Sequence, residues 1–245
     1  MNDSINYHLV TENIAGTLEP QLRDVCFVAP AWNFVVVFIA ILIIVLNKQI
    51  SPSRLKMICG VFYASSDFEK ITREWNPVRS INGVSVIITY IALLGLFVQK
   101  SVLIYSSNDI LYDNTLFYKD ICIFITAFLL IQYLVVSLYG WLFGIEAATD
   151  HQETEHLSMA ASLNMVLILF LLVLFFYPYK IYVMITFSIV LLFEAIRIIK
   201  LFFEFKILSK RSIFNNFLYL CTLEILPTAI SITMVFRVVL TDCVL

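Results

Sequence analysis

Long apolar runs alternate with short polar segments along most of the chain. Each run has about 20 residues, the length that an α-helix needs to cross the hydrocarbon core of a bilayer. The runs predict six transmembrane helices, at about 30–46, 81–99, 121–143, 158–177, 181–203 and 213–240. The predicted fold class is therefore all-α, a polytopic membrane helical bundle.

The polar segments predict how the rest of the chain is organised. Residues 1–29 form a polar N-terminal tail and residues 241–245 a short C-terminal tail, so residues 30–240 make up one membrane domain. In segment 48–80, apolar positions recur at helical spacing among basic residues, which is typical of amphipathic helices on a membrane surface. A solvated basic loop is the alternative. The basic residues expected at the lipid surface are Arg54, Lys56, Lys70, Arg73 and Arg79.

Composition supports the membrane assignment. The chain is 61% hydrophobic and 14% charged, whereas soluble domains are about 45–50% apolar and about 25% charged. The net charge of −2 provides no basic field for nucleic acid. The expected partners are the lipid bilayer and a membrane protein or second copy of the chain, and no nucleic acid.

The distribution of basic residues predicts the sidedness. Six spans place both termini on one side, and cytoplasmic segments of membrane proteins are enriched in Lys and Arg. With the termini outside, 11 of the 16 basic residues fall on or near the cytoplasmic side. Both termini are therefore expected to be extracytoplasmic. The acidic segment 145–157, which has no Lys or Arg, is the exception, and a solvated loop is expected there.

Two acids lie inside predicted spans, Glu194 in the fifth and Glu224 in the sixth. An ionisable residue at such a position is costly in lipid and is a functional-site hypothesis by default. The short connection 204–212 makes the two helices antiparallel neighbours, so the acids are expected to face each other. Arg197 lies one turn from Glu194 and can reach either acid.

Other polar positions accompany Glu224 on the sixth predicted helix. Cys221, Thr228 and Ser231 share its face at spacings of three and four residues. Pro227 removes one backbone hydrogen bond and predicts a kink.

Several interpretations of this predicted cluster remain open. In the first, Arg197 neutralises one acid and the cluster braces the two helices. In the second, one carboxyl group stays protonated, because burial and a neighbouring carboxylate both disfavour its charged form. That group could then carry a proton or receive a cationic ligand. In the third, an acid occupies a water-filled cavity and has no special role.

No other motif predicts chemistry. His151 and His156 flank four acidic or polar positions, but they are five residues apart, unlike the two histidines of a zinc HExxH motif. No CxxC pair occurs among the five cysteines, although a disulfide between Cys26 and Cys243 is possible. No catalytic residue, metal or cofactor is predicted.

The stretch from Phe217 to Pro227, FLYLCTLEILP, resembles the C-terminal signature of an uncharacterised bacterial polytopic membrane family, known as domain of unknown function 4271. The chain length and the six-span plan agree with this resemblance. It implies a bacterial inner-membrane location and marks Glu224 and Pro227. It implies no activity or substrate.

The sequence does not specify the function. The favoured interpretation is a scaffold or accessory subunit of a membrane complex. The alternative is a small proton-coupled transporter or carrier that uses Glu194, Arg197 and Glu224. An intramembrane enzyme acting on lipid is the least supported interpretation, so enzymatic activity is not expected.

Overall fold

A computed structural model describes residues 30–53, 80–105, 115–144 and 146–208 of the protein. Within these ranges the chain forms five long α-helices and no strand. In chain order they are α1 (Ala31–Ile50), α2 (Ile81–Tyr105), α3 (Thr115–Phe143), α4 (Glu146–Phe176) and α5 (Lys180–Leu208).

All five helices are long and apolar enough to cross a membrane. The candidate spans are Ala31–Ile50, Ile81–Tyr105, Thr115–Leu142, Thr149–Phe176 and Lys180–Leu201. The predicted all-α membrane fold class is confirmed, and the chain is a multi-pass membrane protein. The predicted sixth span 213–240, most of the predicted surface segment 48–80, and both tails lie outside the described residues.

The prediction of a solvated loop at 145–157 is wrong for residues 146–157, which form the first three turns of α4. His151, Gln152, Thr154 and Glu155 in these turns are buried. These residues are accommodated within the helix and the bundle, because Thr154 Oγ1 donates to the backbone carbonyl of Asp150 and Glu155 pairs with Lys200 of α5. Gly144, with a φ of 64°, directly follows the end of α3 at Phe143, and this left-handed conformation suits glycine because it has no Cβ.

The core of the described bundle is built around α2 and α4. Six of the fully buried leucines in the described ranges lie on these two helices, at positions 93, 96, 157, 163, 167 and 171, and Leu201 lies on α5. We compared the buried share of the most apolar 18-residue stretch in each helix. This share is 61% in α4 and 50% in α2, but only 22% in α1, 17% in α5 and 6% in α3. The helices α1, α3 and α5 therefore form the outside of the described bundle.

Glycines allow α3 to approach the core at two places. A Cβ on Gly140 would overlap the side chain of Thr149 on α4, and a Cβ on Gly95 of α2 would lie 2.8 Å from the Sγ of Cys122. Close approach at small residues is the usual way in which membrane helices gain contact area. These two glycines therefore set the distance of α3 from α2 and α4.

Candidate functional site

Two ion pairs lie in the second half of α5, and one of them joins α5 to the third turn of α4. On α5, the guanidinium of Arg197 contacts the carboxylate of Glu194 at 3.0 Å through Nη2, and its Nε donates a hydrogen bond of 3.0 Å to the same Oε2 atom. Between the helices, Lys200 Nζ of α5 lies 2.9 Å from Glu155 Oε1 of α4. We call these four residues the polar cluster.

The hairpin geometry of α4 and α5 explains this arrangement. The two helices are joined by the short turn 177–179, so the first turns of α4 lie beside the last turns of α5. Glu194, Arg197 and Lys200 are spaced by three residues and so project from neighbouring positions on α5. Glu155 and Lys200 lie almost equally far from the turn, and the antiparallel register brings them together.

Burial makes the pairing energetically important. The side chains of Arg197 and Glu155 are 1% and 3% exposed, and those of Glu194 and Lys200 are 21% and 24% exposed. An unpaired charge at a buried position costs several kcal/mol. Each buried member of the cluster has an opposite charge at 3.0 Å or less, so the formal charges of the four residues cancel.

The structure brings together only part of the predicted site. Glu194 and Arg197 are in contact, whereas Glu224, Cys221, Pro227, Thr228 and Ser231 lie outside the described residues. The predicted lipid-surface residues Arg54, Lys56, Lys70, Arg73 and Arg79 also lie outside them. The sequence argument counted two acids and one arginine. The fold adds a third acid, Glu155, and a second basic residue, Lys200.

Glu155 and Lys200 are the residues that sequence reasoning missed as site members. The sequence places Glu155 in the acidic segment 145–157, where a loop is expected, and Lys200 is one of the 11 basic residues expected on or near the cytoplasmic side. A usable signal was present, because counting residues outward from the tight turn at Pro178 places the two at the same level of an antiparallel hairpin. That argument required α4 to continue through its polar first turns.

Asparagines connect α1 and α4 to α2. Asn164 of α4 donates through Nδ2 to the carbonyl oxygen of Val86 at 3.1 Å and to Thr89 Oγ1 at 2.9 Å, both on α2. Asn47 of α1 donates to Ser85 Oγ of α2 at 2.6 Å. Hydrogen bonds between membrane helices stabilise association where apolar burial adds little. The bonds fix α1 and α4 to α2.

A pocket of about 100 Å³ lies between α2, α3 and α4. Six of its lining side chains can form hydrogen bonds, and the other five are apolar. The polar ones are Tyr90, Gln132, Tyr133, Gln152, Glu153 and His156, and the apolar ones are Ile87, Leu129, Val136, Leu157 and Ala160. We call this space the α2–α3–α4 pocket.

The acids and histidines at the start of α4 have different surroundings. Glu155 pairs with Lys200, whereas His156 lines the pocket. Across the described ranges, no three His, Cys, Asp or Glu side chains come close enough to hold a metal ion. Cys26 and Cys243, the pair considered for a disulfide, lie outside those ranges.

Comparison with known families adds one match. The family model described as domain of unknown function (DUF4271) matches residues 33–235. This range contains the polar cluster, the pocket and nearly all of the five described helices. No curated protein and no solved structure matches the chain.

Proposed function

The chain belongs to the DUF4271 family, and from this premise we propose that it is a scaffold or accessory subunit of a membrane complex. The proposed location is the bacterial inner membrane, with both termini extracytoplasmic. The observation that carries the proposal is the internally paired polar cluster. A carrier needs a charge that exchanges partners during transport, whereas the cluster charges cancel within one hairpin.

The hydrogen bonds of Asn47 and Asn164 support the same role. They connect α1, α2 and α4, while the Glu155–Lys200 pair connects α4 to α5. Four helices are thus held by polar contacts that do not depend on lipid. Such a frame suits a protein that positions other membrane helices.

The proposed docking surface is the outer face of α3. Only 6% of its most apolar stretch is buried within the described bundle. Its exposed side chains include Phe124, Leu130, Ile131, Leu134 and Trp141. Lipid can cover such a face, but so can the transmembrane helix of a partner protein, and aromatic residues are enriched at protein interfaces.

Site-specific photo-crosslinking in intact membranes tests this proposal. A photoreactive amino acid replaces Leu134 on the outer face of α3, and in a matched control it replaces Leu42, an exposed leucine of α1. We expect a discrete protein adduct from position 134 and none from position 42. An adduct with a different protein, identified by mass spectrometry, supports an accessory subunit. A chain that forms no protein adduct at position 134 and purifies alone would overturn the proposal.

A proton-coupled carrier is the second candidate, and the pocket favours it. Glu153 and His156 line a cavity, and Glu155 of the polar cluster lies between them in sequence. Proton uptake into proteoliposomes, followed with an internal pH-sensitive dye, tests this candidate. Loss of uptake in Glu194→Gln and in Glu224→Gln, but not in the exposed-site variant Asp150→Asn, supports the carrier. Uptake no greater than in protein-free liposomes would eliminate it.

A further inference from the structure

We propose that the contact surface between α2 and α4, which we call the α2–α4 seam, holds bound water next to the polar cluster. Three side-chain atoms along the seam are buried and have no hydrogen-bond partner in the part of the chain that the structure describes. They are Nδ2 of Asn82 on α2, and Oγ of Ser158 and Oδ1 of Asn164 on α4. The three residues are 6%, 0% and 1% exposed, so bulk solvent does not provide the missing hydrogen bonds.

The register of the two helices places Asn82 and Ser158 at the same level. The helices run in the same direction, because one crossing, α3, lies between them in the chain. Asn164 bonds to Val86 and Thr89 of α2. Asn82 lies four residues before Val86 and seven before Thr89, or about 6–10 Å at the helical rise. Ser158 lies six residues before Asn164, or about 9 Å.

The two side chains also lie on the faces that meet. Asn82 is one turn from Val86, so it is on the face of α2 that contacts Asn164. Ser158, Ala161 and Asn164 form a row along α4 at spacings of three, and all three are buried. Such rows are the ridges through which neighbouring helices pack. The unpartnered atoms of Asn82 and Ser158 are therefore expected within reach of one small bridging molecule.

The chemistry of the three atoms matches water. Nδ2 of Asn82 can only donate a hydrogen bond, Oδ1 of Asn164 can only accept one, and Oγ of Ser158 can do both. One water can accept from Asn82 and donate to Ser158, and a second can donate to Asn164. None of the three side chains is charged, so no ion would find its charge compensated by them. Lipid cannot supply these hydrogen bonds, whereas buried waters typically make about two to four with such groups.

The site lies one turn from the polar cluster. Ser158 follows Glu155 by three residues on α4, and Arg197 precedes Lys200 by three residues on α5. Because Glu155 and Lys200 are paired in an antiparallel hairpin, Ser158 and Arg197 lie at the same level. Water bound between Asn82 and Ser158 would therefore extend the polar layer of α4 and α5 to α2.

The proposal is independent of the scaffold role, because Asn82 and Ser158 are inside the bundle and position 134 is on the outer face of α3. A partner could dock on α3 whether the α2–α4 seam is hydrated or dry. Loss of the crosslink from position 134 would leave the water site untouched, and a dry seam would leave the crosslink untouched.

NMR on the purified full chain in detergent micelles, with asparagine selectively labelled with ¹⁵N, tests the site. The side-chain amide signal of Asn82 is identified by its loss in Asn82→Leu. Bound water gives this amide cross-peaks of opposite sign in NOE and ROE spectra, whereas proton exchange with solvent gives cross-peaks of the same sign. We expect opposite signs for Asn82.

Asn47 is the matched control in the native protein. It is 6% exposed, as is Asn82, but its Nδ2 donates to Ser85 Oγ at 2.6 Å. Ser85 lies three residues from Asn82, so the two asparagines are at similar depth in the membrane. We expect the water cross-peak of Asn82 to be at least threefold stronger than that of Asn47.

Two serine variants locate the water. Ser158→Ala removes the hydroxyl of the proposed bridge, so the water cross-peak of Asn82 should fall at least threefold. Ser162→Ala removes a hydroxyl one turn away that already donates to the carbonyl oxygen of Ser158, and we expect less than a twofold change. Equal water cross-peaks at Asn82 and Asn47 would overturn the proposal, as would an unchanged cross-peak in Ser158→Ala. If Ser158→Ala does not fold, the comparison with Asn47 decides.

Discussion

The helices α3 and α4 are similar in hydropathy and opposite in burial. Their most apolar stretches have nearly the same mean hydropathy, yet 61% of that stretch is buried in α4 and 6% in α3. The helix that begins with acids and histidines is the more buried of the two. Hydropathy thus identifies helices that cross the membrane, but it does not identify those that form the interior.

Hydropathy does not predict burial here because the helices are surrounded by lipid and not by water. In lipid, a leucine gains little by leaving the hydrocarbon for the protein interior, so apolar residues do not sort helices into inner and outer positions. Small and polar residues do, because they permit close packing and interhelical hydrogen bonds. In α4 these are Ser158, Ala161 and Asn164, all buried. The corresponding surface of α3 carries large apolar side chains.

The largest expected effect comes from breaking the ion pair that joins α4 to α5. Lys200→Met leaves the carboxylate of Glu155, which is 3% exposed, without this ammonium, and we expect the free energy of unfolding to fall by about 3–5 kcal/mol. Unfolding in mixed micelles of a mild detergent and sodium dodecyl sulfate, followed by circular dichroism, measures this change.

The matched control restores the charge balance. In the double variant Glu155→Met with Lys200→Met, no buried charge loses its partner, so stability should return to within about 1–2 kcal/mol of the native protein. If the double variant is as unstable as the single variant, the ion pair does not account for the loss of stability. Polar contacts would then not explain why α4 lies inside the bundle and α3 outside.

An intermediate effect is expected from truncating an interior leucine. Leu167 of α4 is fully buried and Leu130 of α3 is 55% exposed. Leu167→Ala leaves a cavity and should cost about 3 kcal/mol, whereas Leu130→Ala faces lipid or a partner and should cost well under about 1 kcal/mol. The same unfolding measurement compares them, and equal losses would show that α3 is packed as tightly as α4.

The smallest of the three effects comes from the contact between α3 and α4. Gly140→Leu places a side chain where Thr149 already lies, and such overpacking should cost about 1–3 kcal/mol. Ser137→Leu introduces the same side chain one turn away at an exposed position of α3 and should be nearly neutral. Similar stability for both variants would indicate that α3 can move away from α4 without lowering the free energy of unfolding.

Some contacts of the candidate site can be predicted from the sequence, and others cannot. The contact of Glu194 with Arg197 is local, because it depends only on a spacing of three residues in one helix. The contact of Glu155 with Lys200 spans 45 residues and depends on where α4 begins. The pocket takes residues from three helices, and no spacing rule relates them.

The sequence by itself determined that this protein is an all-helical membrane protein, because runs of about 20 apolar residues have no comparable alternative in lipid. It also placed Arg197 within reach of Glu194, one turn away on the same helix. Only the tertiary structure decided that α2 and α4 form the interior, and that the polar first turns of α4 are helical and buried. The physical reason is that polar residues are tolerated away from water when another helix supplies their hydrogen bonds and opposite charges, and the identity of that helix is a property of packing.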